Sequence, residues 1–216
     1  MTTQTYIIYP EVEVETAVSI GEFSIIGKPP RLPSIDGRQV DARPRLGSTV
    51  IGRGSALGSY VLVEQGARIG PGCVVETGSV IESRVSIGEG SFIVHGARVG
   101  ADASIGSDCV IGGLVAERSV IGNHCRVLGS LIHRQLDPTV DWDEALEPSP
   151  VLDAHVFVAT TALVIGQVKL SSHVYVVAGA VVTKDVPPHS IVHGRNCIVE
   201  ARNWRGPLSR SPFWGG

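Results

Sequence analysis

From Ile51 onward every sixth residue of the chain is aliphatic: Ile51, Leu57, Val63, Ile69, Val75, Ile81, Ile87, Ile93, Val99, Ile105 and Ile111. The fifth place of each hexad is small or β-branched without exception, from Ser55, Val61, Ala67 and Cys73 to Ala103, Cys109 and Val115. The second place is mostly Gly or Glu, as in Gly70, Glu76 and Gly88. A period of six fits neither the 3.6 residues of a helix nor an unbroken alternation of two. It fits a short strand followed by a tight corner, repeated. Three hexads then close one triangular coil of eighteen residues, with the first and fifth places turned inward. The chain is therefore expected to be an all-β solenoid of parallel strands.

Other blocks keep the rule in shifted registers: Ile8, Val14, Ile20 and Ile26; Ile121 and Val127; and Leu152, Val158, Val164, Leu170, Val176 and Val182. The shifts locate the interruptions. Residues 28–50 and 133–150 leave the repeat and are read as loop insertions, and a slip of four residues lies near Gly112 and Gly113. The expected organisation is one β-helix domain over 1–200 and a C-terminal tail over 201–216. A solenoid wall is structural by construction, so its interruptions are where function is sought.

Composition agrees. Val and Ile together number 49 against 13 Leu, with 26 Gly and one Met, which excludes a helical bundle. A net charge of -3 gives no electrostatic reason to expect nucleic acid or an anionic membrane as partner. No apolar run approaches the roughly 20 residues that span a bilayer, and MTTQTYIIYPEVEVE has neither a basic leader nor a small-residue cleavage site. A soluble cytoplasmic protein is expected. Cys73, Cys109, Cys125 and Cys197 show no zinc or redox spacing. On the coil register Cys73 and Cys109 stand two coils apart, on the order of 9 to 10 Å, too far for a disulfide. With Cys125, also in a fifth place, they are read as inert core thiols in a reducing compartment.

The pattern resembles the left-handed parallel β-helix of the hexapeptide-repeat acyltransferases. The segment PVLDAHVFVATTALVIGQVKLSSHVYVVAGAVVTKDVPPHSIVHG is similar to the closing coils of the sugar O-acetyltransferases that act on maltose and galactosides, including their A-G-x-V-V-T-K-D-V-P-P signature at Ala178 to Pro188. The resemblance implies a homotrimer that moves an acyl group, usually acetyl, from acetyl-CoA or another acyl-CoA. The donor would lie between subunits, and one loop histidine would act as general base on an acceptor hydroxyl or amine. That histidine stands shortly before an Asp-Pro pair and one loop length before the Pro that restarts the helix. His133, Asp137-Pro138 and Pro150 occupy those places. On the same alignment Thr160, Ala178, Gly179, Thr183 and Lys184 fall where the family contacts the pantetheine arm and nucleotide. The family's phosphate-binding Gly-Asn-Pro-Ala-Arg run is replaced here by Gly194-Arg195-Asn196-Cys197-Ile198, leaving Arg195 or Arg202 for that contact. Asp141-Trp142-Asp143-Glu144 also replaces the Arg-Asn-Ser-Gly type of acceptor loop.

Attack on a thioester needs an acceptor deprotonated as it attacks, and a neutral imidazole is the suitable base near pH 7. His133 is expected where the next inward aliphatic should be, either as catalytic base or as loop leader. Asp137, Asp141, Asp143 and Glu144 either orient the ring or hold a polar acceptor, or are solvated loop carboxylates. Trp142 either floors the acceptor or anchors the loop. Lys184 either meets a donor phosphate or is a surface corner residue. Four arginines in 28–50 (Arg31, Arg38, Arg43 and Arg45) either hold an anionic acceptor or a carrier protein's phosphopantetheine, or belong to a solvated Pro-Arg loop. A rival reading rests on His124, His155 and His173, all in fourth places. His155 and His173 are one coil apart and should stack, as in a metal-binding β-helix of the γ-class carbonic anhydrase type or a non-catalytic scaffold. The expectation is nonetheless that no metal is held and that these are turn residues, with His189 and His193 turn residues of the tail. The tail, with Trp204, Phe213 and Trp214, either docks on a neighbour or is disordered.

Overall fold

In the computed structural model the described residues are 5–30, 46–134, 148–205, 208 and 213. Strands of two to four residues follow one another around three sheets of nine, eight and ten strands. Apart from the closing hairpin, neighbouring strands within each sheet pair in parallel and lie one coil apart. Leu62, Val80 and Arg98 are partners on the first sheet, Arg68, Ser86 and Ser104 on the second, and Val74, Phe92 and Val110 on the third. The eighteen-residue coil expected from three hexads is thus the repeating unit of a three-sided parallel β-helix.

The first and fifth places form the core. Ile51, Val63, Val75, Ile81, Ile93 and Ile111 are fully buried, as are Ala67, Cys73, Ser79 and Val85. Truncating one of the isoleucines to Ala would cost about 2 to 5 kcal/mol in lost transfer and cavity terms. Polar fifth places are tolerated because the next coil satisfies them. Ser55 Oγ donates to the Gly70 carbonyl at 2.9 Å and accepts the Cys73 N–H at 3.1 Å. Ser91 repeats this with Gly106 and Cys109. The thiols follow the same rule: Cys73, Cys109 and Cys125 donate to the carbonyls of Gly88, Gly122 and Asp153, each at 3.1 Å. All three are buried and free, and burial pushes the Cys73 thiol above its ordinary range.

The corners carry the strain. The residue in the fourth place has positive φ whether or not it is glycine, as at Arg84, Asp102, Asp108 and Arg118. The slip near Gly112-Gly113 removes two residues from one corner, so the coil shortens to sixteen and Arg98, Ser104 and Val110 now face Leu114, Val120 and Arg126. A second short corner follows one coil later at Leu128-Gly129, where Val115 faces Leu131. Val115 therefore takes a first place opposite Val99, not the fifth place expected from counting. Both short corners need glycine. A Cβ on Gly113 would stand 1.7 Å from the Gly129 carbonyl oxygen, and one on Gly129 would stand 2.4 Å from that of Ala162.

The two ends differ. At the C-terminal end Ser190–His193 and Cys197–Glu200 form an antiparallel hairpin on the third sheet, and its turn crosses to the first sheet, where Arg195 pairs with Val181. At the N-terminal end the inward residues Ile8 and Val14 are each 37 % exposed. Phe213 of the tail packs edge-on against Phe157 and Tyr175 of the third sheet, at 6.4 and 6.0 Å between ring centres. Phe213 thus packs on this chain's own wall, a third outcome beside the two expected of the tail. Among the described residues no helix is long and apolar enough to cross a membrane.

Candidate functional site

Both expected insertions leave the helix at one corner, the one joining the first sheet to the second. Residues 31–45 separate strand Ile25–Lys28 from Thr49–Ile51, and residues 135–147 lie between Ser130–Ile132 and Val151–Leu152. Between the two departures the corner is lined by charged pairs. Arg84 and Asp102 meet in a two-pronged bridge, Nε–Oδ1 2.5 Å and Nη2–Oδ2 2.6 Å, which raises the guanidinium pKa. Arg118 meets Glu117 at 3.3 Å.

His133 stands on this corner, directly after strand Ser130–Ile132. The expectation that it replaces an inward aliphatic is corrected: Leu131 is the inward residue, fully buried between Val115 and Val164. The two-residue shortening at Leu128-Gly129 advances the register, so the imidazole sits in a third place, half-buried at the rim. Its Nδ1 lies 3.4 Å from Ser149 Oγ, and Ser149 donates its hydroxyl to the Glu117 carbonyl one coil below. Arg134, next to His133, packs against Gly166 of the coil above, where a Cβ would lie 3.1 Å from that of Arg134. Ser149, Arg134 and Glu117 were not singled out from the sequence. The signal that was available is the Ser-Pro pair at 149–150, where the repeat restarts.

The signature residues fall on two corners. Thr183 and Lys184 lie on the corner of His133, two coils further on. Thr183 is braced by Asn196: its N–H donates to Asn196 Oδ1, and Asn196 Nδ2 donates to Thr183 Oγ1, both at 2.8 Å. Lys184 is exposed. Thr160, Ala178 and Gly179 occupy the neighbouring corner, where the chain enters the first sheet, and all three are exposed. The outer face of that sheet connects the two corners, and Arg195 borders it through the Val181 pairing. Arg202 is elsewhere, in the short turn Ala201–Asn203 beyond the hairpin, held by Glu200 at 2.6 Å. Asp137, Asp141, Trp142 and Glu144 lie outside the described residues.

The remaining corner holds a stack of histidines. His124, His155, His173 and His189 are parallel and 4.8 to 4.9 Å apart, one coil per ring, and each has positive φ. His189, expected to be a tail turn residue, is the fourth ring. Asp108 extends the column at its lower end, 3.6 Å from His124 Nδ1. Rings lying face to face at this spacing point their nitrogens side by side, not toward a common centre. Among the described residues no group of three His, Cys, Asp or Glu side chains is placed to hold a metal ion. Burial lowers the His173 pKa below its ordinary 6.5, and His155 and His189 lower it further.

No protein-family model matches the chain. It is 26 % identical over 204 residues to the bifunctional protein GlmU of Shouchella clausii, and 28 % identical over 222 residues to that of Streptomyces avermitilis. Those matches take in 93 % and 96 % of this chain but only 39 % and 38 % of the relatives, so the chain spans about two fifths of their length. Among solved structures it superposes on LpxA, a UDP-N-acetylglucosamine acyltransferase from Bacteroides fragilis. The TM-score is 0.55 and the identity 17 %, covering 92 % of this chain and 73 % of that one. The chain shares the fold of that structure, a parallel β-helix. Its solenoid is the left-handed one expected.

The described residues form smooth walls with shallow recesses. One of about 280 Å³ lies against Gly58, Glu76, Thr77 and His95, and another of about 330 Å³ against Arg68, Pro71 and Ser86. Neither is lined by His133. What distinguishes the His133 corner is the conjunction of an interrupted repeat, a ring held by a buried hydroxyl, and the Thr183-Lys184 signature on the same edge.

Proposed function

We propose that this chain is an acyltransferase that moves an acyl group, acetyl by default, from a CoA thioester to a hydroxyl or amine of a small polar acceptor. The observation that carries this reading is the placement of His133 and the Thr183-Lys184 corner on one edge of the helix. Two coils separate them, about 10 Å at ordinary strand spacing. The hexapeptide-repeat fold and the acyltransferase activity named for the solved neighbour support it.

In this reading His133 removes the acceptor's proton as the oxygen or nitrogen attacks the thioester carbon. The tetrahedral intermediate collapses with cleavage of the C–S bond, and the imidazolium returns its proton to the departing CoA sulfur. Backbone N–H groups at the corners are the available donors for the oxyanion. Thr160, Ala178, Gly179 and Thr183 line the pantetheine arm, and Lys184 with Arg195 meets the donor phosphates. Arg202, already engaged by Glu200, is the less suitable phosphate ligand. Asp137, Asp141, Trp142 and Glu144 hold the acceptor.

The described residues leave the imidazole on this convex corner only half-buried, and acyl transfer needs water excluded. A neighbouring subunit's wall against this corner would supply it, and the proposal therefore includes a homotrimer. Loop insertions at 28–50 and 133–150 within a 1–200 domain, a 201–216 tail and a cytoplasmic location complete the reading. Thiol release from acetyl-CoA, measured over a panel of sugars, amino sugars and amines, tests it. Acceptor-dependent release that disappears in His133→Ala is the expected result, and no release with any acceptor or acyl-CoA counts against it.

A further inference from the structure

We infer that Ser149 is a positioning residue that holds His133 in the tautomer with Nδ1 protonated and Nε2 bare. The inference rests on the reading of His133 as general base. It follows from an inventory of protons. The Glu117 carbonyl can only accept, so the single hydroxyl hydrogen of Ser149 is committed to it. What Ser149 then presents to His133 Nδ1, 3.4 Å away, is a lone pair. Two lone pairs facing each other would repel, so the contact is attractive only if Nδ1 carries the proton. A neutral imidazole has one N–H, and Nε2 is left as the basic nitrogen.

The geometry around Ser149 makes this a fixed arrangement. Ser149 is 8 % exposed, so water does not compete freely for its hydroxyl. Pro150 beside it is buried, and its carbonyl accepts the Val120 N–H at 3.2 Å, which ties the restart of the helix to the coil below. Sixteen residues separate Ser149 from His133 along the chain, and the two meet because the excursion leaves and re-enters at one corner. Glu117 lies in the same third place as His133 one coil earlier. The relay Glu117 C=O, Ser149 O–H, His133 Nδ1–H is thus built by coil stacking.

The test reads the ring directly in the full-length protein. Nitrogen-15 spectra of the histidine rings, with His133 assigned by its loss in His133→Ala, should show the wild-type ring protonated at Nδ1. Ser149→Ala should shift the population toward Nε2–H, and Ser149→Thr, which keeps the hydroxyl, should restore it. A wild-type ring protonated at Nε2 overturns the inference without any variant, as does an unchanged tautomer in folded Ser149→Ala. In the thiol-release assay with acetyl-CoA, Ser149→Ala should lower turnover about tenfold, the worth of one ordinary hydrogen bond, with an unchanged KM for acetyl-CoA and recovery in Ser149→Thr. Full activity of His133→Ala would defeat the base reading but not the tautomer result, so the two failures are separable.

Discussion

Five histidines stand on two corners of this helix, and the corners use them in opposite ways. On one, His124, His155, His173 and His189 repeat with the coil, each covering the face of the next, on backbone that favours Gly, Asn, Asp and His. On the other, His133 appears once, at a break in the repeat, with its ring nitrogen against a buried hydroxyl from a distant part of the chain. The same side chain is a repeated turn residue where the pattern holds and a candidate base where it fails. What separates them is the partner: imidazole faces imidazole in the stack, whereas at His133 a polar relay orders the two nitrogens.

The comparison breaks or holds first on activity. His133→Ala should lower turnover by about 10² to 10⁴ with donor binding intact, while His173→Asn, which keeps a residue tolerant of positive φ, should leave turnover near wild type. Equal losses in steady-state kinetics would erase the distinction between the corners. Next in size is the register slip that sets His133 at the rim. Gly129→Ala should destabilise the fold by about 3 kcal/mol or more in urea unfolding, because its Cβ has no room against the Ala162 carbonyl. Gly179→Ala meets no neighbouring atom and pays only for its positive φ, about 1 kcal/mol.

A smaller effect is expected at the signature corner. Lys184→Ala should raise the KM for acetyl-CoA several-fold, with little change in turnover, since a phosphate contact remote from the reacting carbon is uniform binding. Unchanged donor affinity in calorimetry would move the phosphate site elsewhere. The smallest effect concerns the stack and pH. The His173 pKa is lower in the folded protein than its ordinary 6.5, first through burial and then through its two neighbours. The folded state therefore binds fewer protons than the unfolded chain below that value, and stability should fall as pH drops through 6.5. Urea midpoints at pH 8 and pH 5 should differ less in His173→Asn than in wild type.

Much of the wall was legible because each hexad states its own inward places. Ile51 through Ile111 and the small residues between them are buried as spacing required. The stack of His155 on His173 was also legible, eighteen residues being one coil. The place of His133 was not. Counting six from Val127 lands on it, and only the pairing of Leu131 with Val115 shows that a corner had lost two residues. His189 was missed as a fourth ring because Pro187-Pro188 interrupts the repeat, although the stacking distance continues unbroken across it.

The sequence by itself determined the solenoid, its three walls and its buried thiols, because those features depend on a short pattern restated in every coil, and many copies average out a local exception. It also singled out His133 and the Thr183-Lys184 signature by resemblance. The tertiary structure alone decided that His133 meets Ser149, that Thr183 is braced by Asn196, and that Phe213 returns to the third wall. Each of these joins residues across a shortened corner, an insertion or the closing hairpin. At such places the spacing in sequence no longer equals a whole number of coils, and only the stacked backbone settles what lies beside what.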